Sequence, residues 1–129
     1  MILVTGGAFQ GKREFVSRYF SITKDTMLDG SSCPLTEITG AECLYNYHDT
    51  VRRLMEKGDD PCEFTRRLCK ENPYAVIIMN EIGCGIIPME KKERIWREQV
   101  GRCGCIIAEN SSQVVRVICG RAVCLKGKL

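Results

Sequence analysis

The chain has 129 residues, 44% of them apolar and 27% charged, with a net charge of +3. That length predicts a single domain over residues 1–129 that buries a core without disulfide or metal staples. Lys and Arg are scattered and the net charge is small, which argues against a nucleic-acid partner; no apolar run approaches the roughly 20 residues of a membrane span. Gly6 and Gly7 break the short apolar start, so a secretory leader is not expected. The cysteines number nine, an odd count with no Cys-x-x-Cys pair. They read as small buried hydrophobes in a reducing cytoplasm.

Residues 2–5 predict a short buried strand, 6–11 a loop, and 12–20 a helix whose apolar stripe is Phe15, Val16, Tyr19 and Phe20. Residues 26–28 suggest a second strand ending at Asp29-Gly30, followed by a loop over 31–37. Thr39 with Glu42 has the form of a capping box, predicting a helix from there through Leu44, Tyr47, Val51, Leu54 and Met55 to Gly58. Asp60, Pro61 and Glu63 signal the start of another helix, carrying Phe64 and Leu68 and stopping near Asn72-Pro73. Residues 75–79 are continuously apolar, as a strand buried on both faces requires. A glycine-rich loop and Pro88 follow.

Glu90 opens a long charged helix in which Glu90–Arg94 and Glu93–Arg97 are spaced for ion pairs. Gly101 and Gly104 weaken its later turns, and Ile95, Trp96 and Val100 form a packing stripe. Residues 114–119 and 122–125 predict two last strands around a turn at Gly120. Strands alternating with helices imply an α/β sandwich with a mostly parallel sheet.

Chemistry enters at Gly6-Gly7-Ala8-Phe9-Gln10-Gly11-Lys12, which fits G-x-x-x-x-G-K between a strand and a helix. Glycines let the backbone turn its N–H groups inward onto phosphate oxygens, the helix N-terminus adds positive potential, and Lys12 supplies a point charge. Arg13 stands where a Ser or Thr hydroxyl would bind Mg²⁺, and a guanidinium has no acceptor to offer a cation. Either it points outward and leaves weakened metal binding, or its charge lies near the phosphates and partly replaces the metal. Glu81 ends the buried strand, where open α/β sheets place ligand-binding residues, and is a candidate metal ligand; Asp29 is another. His48, the single histidine, is a candidate nucleophile or base, with a surface or boundary position the plainer reading.

Residues 1–8 resemble the opening of the bifunctional adenosylcobinamide kinase/adenosylcobinamide-phosphate guanylyltransferase family. Asn80-Glu81-Ile82-Gly83-Cys84-Gly85-Ile86-Ile87-Pro88 resembles its N-E-x-G-x-G-I-V-P segment. Arg94, Trp96-Arg97, Gly101, Ala108, Gly120 and Leu125-Lys126 are similar to its later pattern. The resemblance implies a P-loop NTPase-like three-layer sandwich, GTP or ATP with Mg²⁺, a homo-oligomer, and a corrinoid alcohol phosphorylated in cobalamin assembly. Lys12 and Glu81 are then the catalytic candidates. The chain is shorter than that pattern and lacks the segment after the first helix that carries the family's guanylylated histidine. Gly104-Cys105 stands where Asn-Gln is usual. These departures weigh against guanylyl transfer. The competing readings are a catalytically degenerate homologue that binds nucleotide or phosphate as a regulatory module, and a structural protein with an empty loop.

Overall fold

The computed structural model describes residues 1–82 and 90–129. The glycine-rich loop and Pro88 expected after Glu81, and with them most of the N-E-x-G-x-G-I-V-P segment, lie outside the described residues.

The chain opens with β1 (Ile2–Gly6), α1 (Lys12–Phe20), β2 (Leu28–Asp29), β3 (Cys43–Tyr45) and α2 (Tyr47–Lys57). It continues through α3 (Pro61–Glu71), β4 (Val76–Asn80), α4 (Lys91–Glu109), β5 (Gln113–Ile118) and β6 (Arg121–Lys126). The strands form one six-stranded sheet in the order β2-β3-β4-β1-β5-β6. All neighbours are parallel except the edge pair β5–β6, which is an antiparallel hairpin.

Alternation along the strands explains the layers. Leu3, Leu44, Ile77, Met79 and Val114 point to one face, where they meet Tyr47 and Val51 of α2, Leu68 of α3, and Val100, Cys103 and Ile107 of α4. Val4, Cys43, Val76, Ile78, Val115 and Val117 point to the other and pack against Val16 of α1. Helices on both faces of a mostly parallel sheet make the expected three-layer α/β arrangement.

Several local signals act as expected. α3 starts at Pro61, and the Asp60 carboxylate accepts from the Cys62 N–H at 2.9 Å. Inside the core, the Tyr47 hydroxyl donates to Thr65 Oγ1 at 2.7 Å, which itself donates to the Pro61 carbonyl. Cys33, Cys43, Cys69 and Cys103 are buried, whereas Cys105 and Cys119 are exposed.

The expected helix from Thr39 is corrected. A 3₁₀ turn spans Leu35–Gly40, then β3 runs through Cys43–Tyr45, and α2 begins only after Asn46 in left-handed backbone (φ 57°). Leu44 falls at helical spacing from Tyr47 and Val51 by coincidence: it faces the same core as they do, but from a strand. The expected strand at 26–28 is likewise reduced, since Lys24–Thr26 is a 3₁₀ turn and β2 holds only Leu28–Asp29. Glu93, expected to pair with Arg97, is gripped across the fold by Arg52 at 2.6 and 3.2 Å. That guanidinium also lies 3.8 Å over the Trp96 ring.

Candidate functional site

The loop between β1 and α1 lies at the carboxyl ends of β1 and β4, whose last residues, Gly6 and Asn80, are in register. Gly6 has φ +152°, and a Cβ there would meet the Val117 carbonyl oxygen. Gly11 caps α1 in left-handed backbone (φ 88°) and, having no side chain, offers no capping acceptor to the helix start. Such a helix start is a ready anion site.

Lys12 is 7% exposed. Its ammonium donates across the loop to the Gly7 carbonyl at 2.6 Å. Burial pulls its pKa down, and the nearby Glu81 carboxylate opposes that shift. A cation held in this way gains strongly from an incoming anion, because its own water shell is already reduced.

Gln10 turns out to be a brace. Its side-chain oxygen accepts from the Cys119 N–H at 2.6 Å, and its carbonyl accepts from the Gly120 N–H at 2.9 Å. The β5–β6 turn therefore holds the glycine-rich loop from outside. Sequence spacing missed this role, because the partners lie more than a hundred residues apart. Phe9 is fully exposed at the loop tip with φ 59°.

Arg13 lies 4.0 Å over the Tyr45 ring. Both side chains line a cavity of about 330 Å³ together with Ala8, Asn46, Ile78 and Asn80. Arg13 Nε is buried and has no hydrogen-bond partner among the described residues. The cation is thus not turned away from the site; it is stacked on Tyr45 of β3, in a cavity that Ala8, Gly11 and Lys12 of the loop also line. On the α1 side a second cavity of about 480 Å³ is walled by Phe15, Arg18, Tyr19 and Gly120. The Phe15 and Tyr19 rings stack there at 5.4 Å. Gly11 and Glu14 border both cavities.

The two carboxylates read as metal ligands are otherwise engaged. Glu81 is 2.8 Å from Arg116 Nε and 3.1 Å from Arg116 Nη2, and its own N–H donates to the Gly6 carbonyl at 2.8 Å. Asp29 accepts from the Ser31 N–H and hydroxyl at 2.9 and 2.6 Å, and from the Asn46 amide at 3.0 Å. These bonds hold its pKa below the usual range against the desolvation that would raise it. Among the described residues no cluster of three or more His, Cys, Asp or Glu side chains is placed to hold a metal ion. Arg13 in the hydroxyl position takes away one protein ligand that Mg²⁺ beside a nucleotide would use.

His48 is buried, which corrects the surface or boundary position expected for it. Its Nδ1 accepts from the Asn80 N–H at 3.0 Å, and its Nε2 lies 3.5 Å from Asp49 Oδ2. An imidazole shielded on this scale is poorly placed to attack a nucleotide.

Residues 39–125 match the model of the family described as cobinamide kinase / cobinamide phosphate guanyltransferase, which is more than half of the chain. The chain belongs to this family. The matched region contains β3, β4, β5 and the four-residue neighbourhood of Tyr45 and His48, whereas the glycine-rich loop lies before it. No curated protein matches the chain closely enough to count as a relative. Family membership and the sheet order agree on a P-loop NTPase-like fold. Among the described residues no helix is long and apolar enough to cross a membrane.

Proposed function

We propose that this cobinamide kinase family member binds a nucleoside triphosphate at the loop over residues 6–12 and, in its active form, transfers the terminal phosphoryl group to a corrinoid alcohol. The observation that carries the reading is the buried Lys12 ammonium, held 2.6 Å from the Gly7 carbonyl inside a loop that opens α1. The triphosphate sits on the backbone N–H groups of Gly7 to Arg13 with Lys12 countering its charge. The base rests against the stacked Phe15 and Tyr19 rings. The acceptor enters the cavity floored by Tyr45, where Arg13 Nε, without a partner among the described residues, offers a donor.

In the transfer, the acceptor hydroxyl oxygen forms a bond to the terminal phosphorus as the bridging P–O bond breaks. The nucleoside diphosphate leaves and the hydroxyl proton passes to solvent. Lys12 offsets the charge that develops on the transferring group. Glu81, bound by Arg116, fixes the local field on the other side of the loop. Guanylyl transfer through a histidine is not part of this proposal, because the chain's single histidine is buried behind the loop.

The second reading, a degenerate nucleotide-binding module, is favoured by a specific observation: Arg13 and Arg116 occupy the hydroxyl position and the candidate metal carboxylate. Calorimetric titration with GTP and ATP, with and without Mg²⁺, followed by a cobinamide phosphorylation assay, decides between them. Binding with turnover supports the kinase; metal-independent binding without turnover supports the module. Absence of binding at millimolar nucleotide overturns both.

A further inference from the structure

β3 ends at Tyr45 and pairs with β4 only through Cys43↔Val76 and Leu44↔Ile77. Beyond that point no β3 residue is in register with the carboxyl end of β4, although its opposite side is still paired with β1 through Gly6↔Asn80. The gap is filled by a side chain. His48, in the first turn of α2, accepts the Asn80 N–H on Nδ1 at 3.0 Å. The His48 carbonyl in turn accepts from Trp96 Nε1 at 2.8 Å, which anchors that turn to α4.

We propose that His48 is a positioning residue: its Nδ1 stands in for the missing strand carbonyl and holds the Asn80-Glu81 end of β4 against the phosphate loop in the geometry that binds phosphates. The ligand part of this inference rests on the nucleotide-binding reading above. Asn80 lines the acceptor cavity, and the Glu81 N–H bonds directly to Gly6 at the root of the loop. A shift of this strand end therefore reaches both the cavity and the loop.

The arrangement requires one tautomer. Nδ1 must carry a lone pair, so the proton of the neutral ring sits on Nε2, towards Asp49. Protonation at Nδ1 would set two N–H donors against each other and break the bond to Asn80. Four charged groups bear on the ring: Asp49 and Arg52 from its own helix, Lys12 from α1 and Asp29 from β2. Burial is the largest influence and lowers the pKa of His48; Lys12 and Arg52 reinforce it, and the two aspartates oppose it. The ring is thus neutral and accepting at neutral pH, and the contact is lost as pH falls through the lowered value.

Because His48 is the single histidine, nitrogen NMR of ¹⁵N-histidine protein reads it without ambiguity. The expected result is the Nε2–H tautomer, titrating below the ordinary value of about 6.5. The Nδ1–H tautomer, or titration above that value, overturns the proposal. The functional readout is binding of tripolyphosphate and GTP at about pH 7.5 and about pH 5 by the wild type, His48→Asn and His48→Leu. Asn places an acceptor near the position of Nδ1 but does not titrate.

His48→Asn should bind within about threefold of wild type at the higher pH and lack the part of the acid loss that His48 causes. His48→Leu should bind about tenfold more weakly at both. Equal pH profiles for wild type and His48→Asn overturn the proposal, and this comparison suffices if the leucine variant does not fold. If the wild type binds neither probe, the nucleotide-binding reading fails by itself. Amide exchange at Asn80 then decides the positioning role: protection lost on acidification in the wild type but kept in His48→Asn supports it, and equal behaviour overturns it.

Discussion

Arg116 on β5 reaches across β1 to close on Glu81 at the end of β4, with Nε 2.8 Å from Oε1 and Nη2 3.1 Å from Oε2. The carboxylate beside the phosphate loop is therefore matched by a cation that is not Lys12. Removing that cation leaves a negative charge next to the anion site. Arg116→Gln should weaken tripolyphosphate binding about fivefold, and the added Glu81→Gln change should restore most of it. A calorimetric double-mutant cycle checks this; purely additive losses would show that the pair does not act through charge.

Arg13 occupies the position where a hydroxyl would bind Mg²⁺, and its guanidinium is stacked on Tyr45 instead. Arg13→Ser should introduce metal dependence. Mg²⁺ should tighten GTP binding about tenfold in the variant and less than about threefold in the wild type. Titrations with Mg²⁺ and with a chelator measure both ratios. Strong Mg²⁺ dependence already present in the wild type would show that the missing hydroxyl does not weaken metal binding.

Lys12 is a buried cation whose protonated form is disfavoured by desolvation. Its role is expected to be binding at some cost in stability. Lys12→Met should lose about ten- to a hundredfold in triphosphate affinity, the worth of hydrogen bonds to a charged group. The ligand-free variant should melt no lower than the wild type. Calorimetry and thermal denaturation test the two halves separately, and a drop in melting temperature would mean that Lys12 is chiefly structural.

The cysteines divide by environment. Burial raises the thiols of Cys43 and Cys103 to about 12, while Cys105 and Cys119 are exposed. At mildly alkaline pH a thiolate is the reactive form, so Cys43 and Cys103 should resist iodoacetamide until the protein unfolds. Cys105 and Cys119 should label first. Peptide mass mapping over a time course follows each site, and early labelling of Cys43 would contradict the burial of its side chain in the core between the sheet and α1.

The local signals that worked were those whose chemistry is complete within a few residues. The strand-loop-helix start was legible because glycines and a lysine at fixed spacing have few other uses. α3 was legible because Asp60 and Pro61 satisfy its first turn by themselves. The failure at Thr39 has the opposite cause. A three-residue strand carries no period of its own, and Cys43–Tyr45 becomes a strand only by pairing with β2 and β4.

By itself, the sequence determined the α/β class, the glycine-rich strand-to-helix loop that ends at Lys12, and the absence of a metal-binding hydroxyl at Arg13. Those follow from periodicity, backbone freedom and donor chemistry, all of which are local. The tertiary structure decided what each polar group near the loop does. It assigned Glu81 to Arg116, Gln10 to the β5–β6 turn, Arg13 to Tyr45 and His48 to the end of β4. Each of those partners is at least 32 residues away in the chain, and a buried polar group takes whichever partner the packed sheet brings within reach.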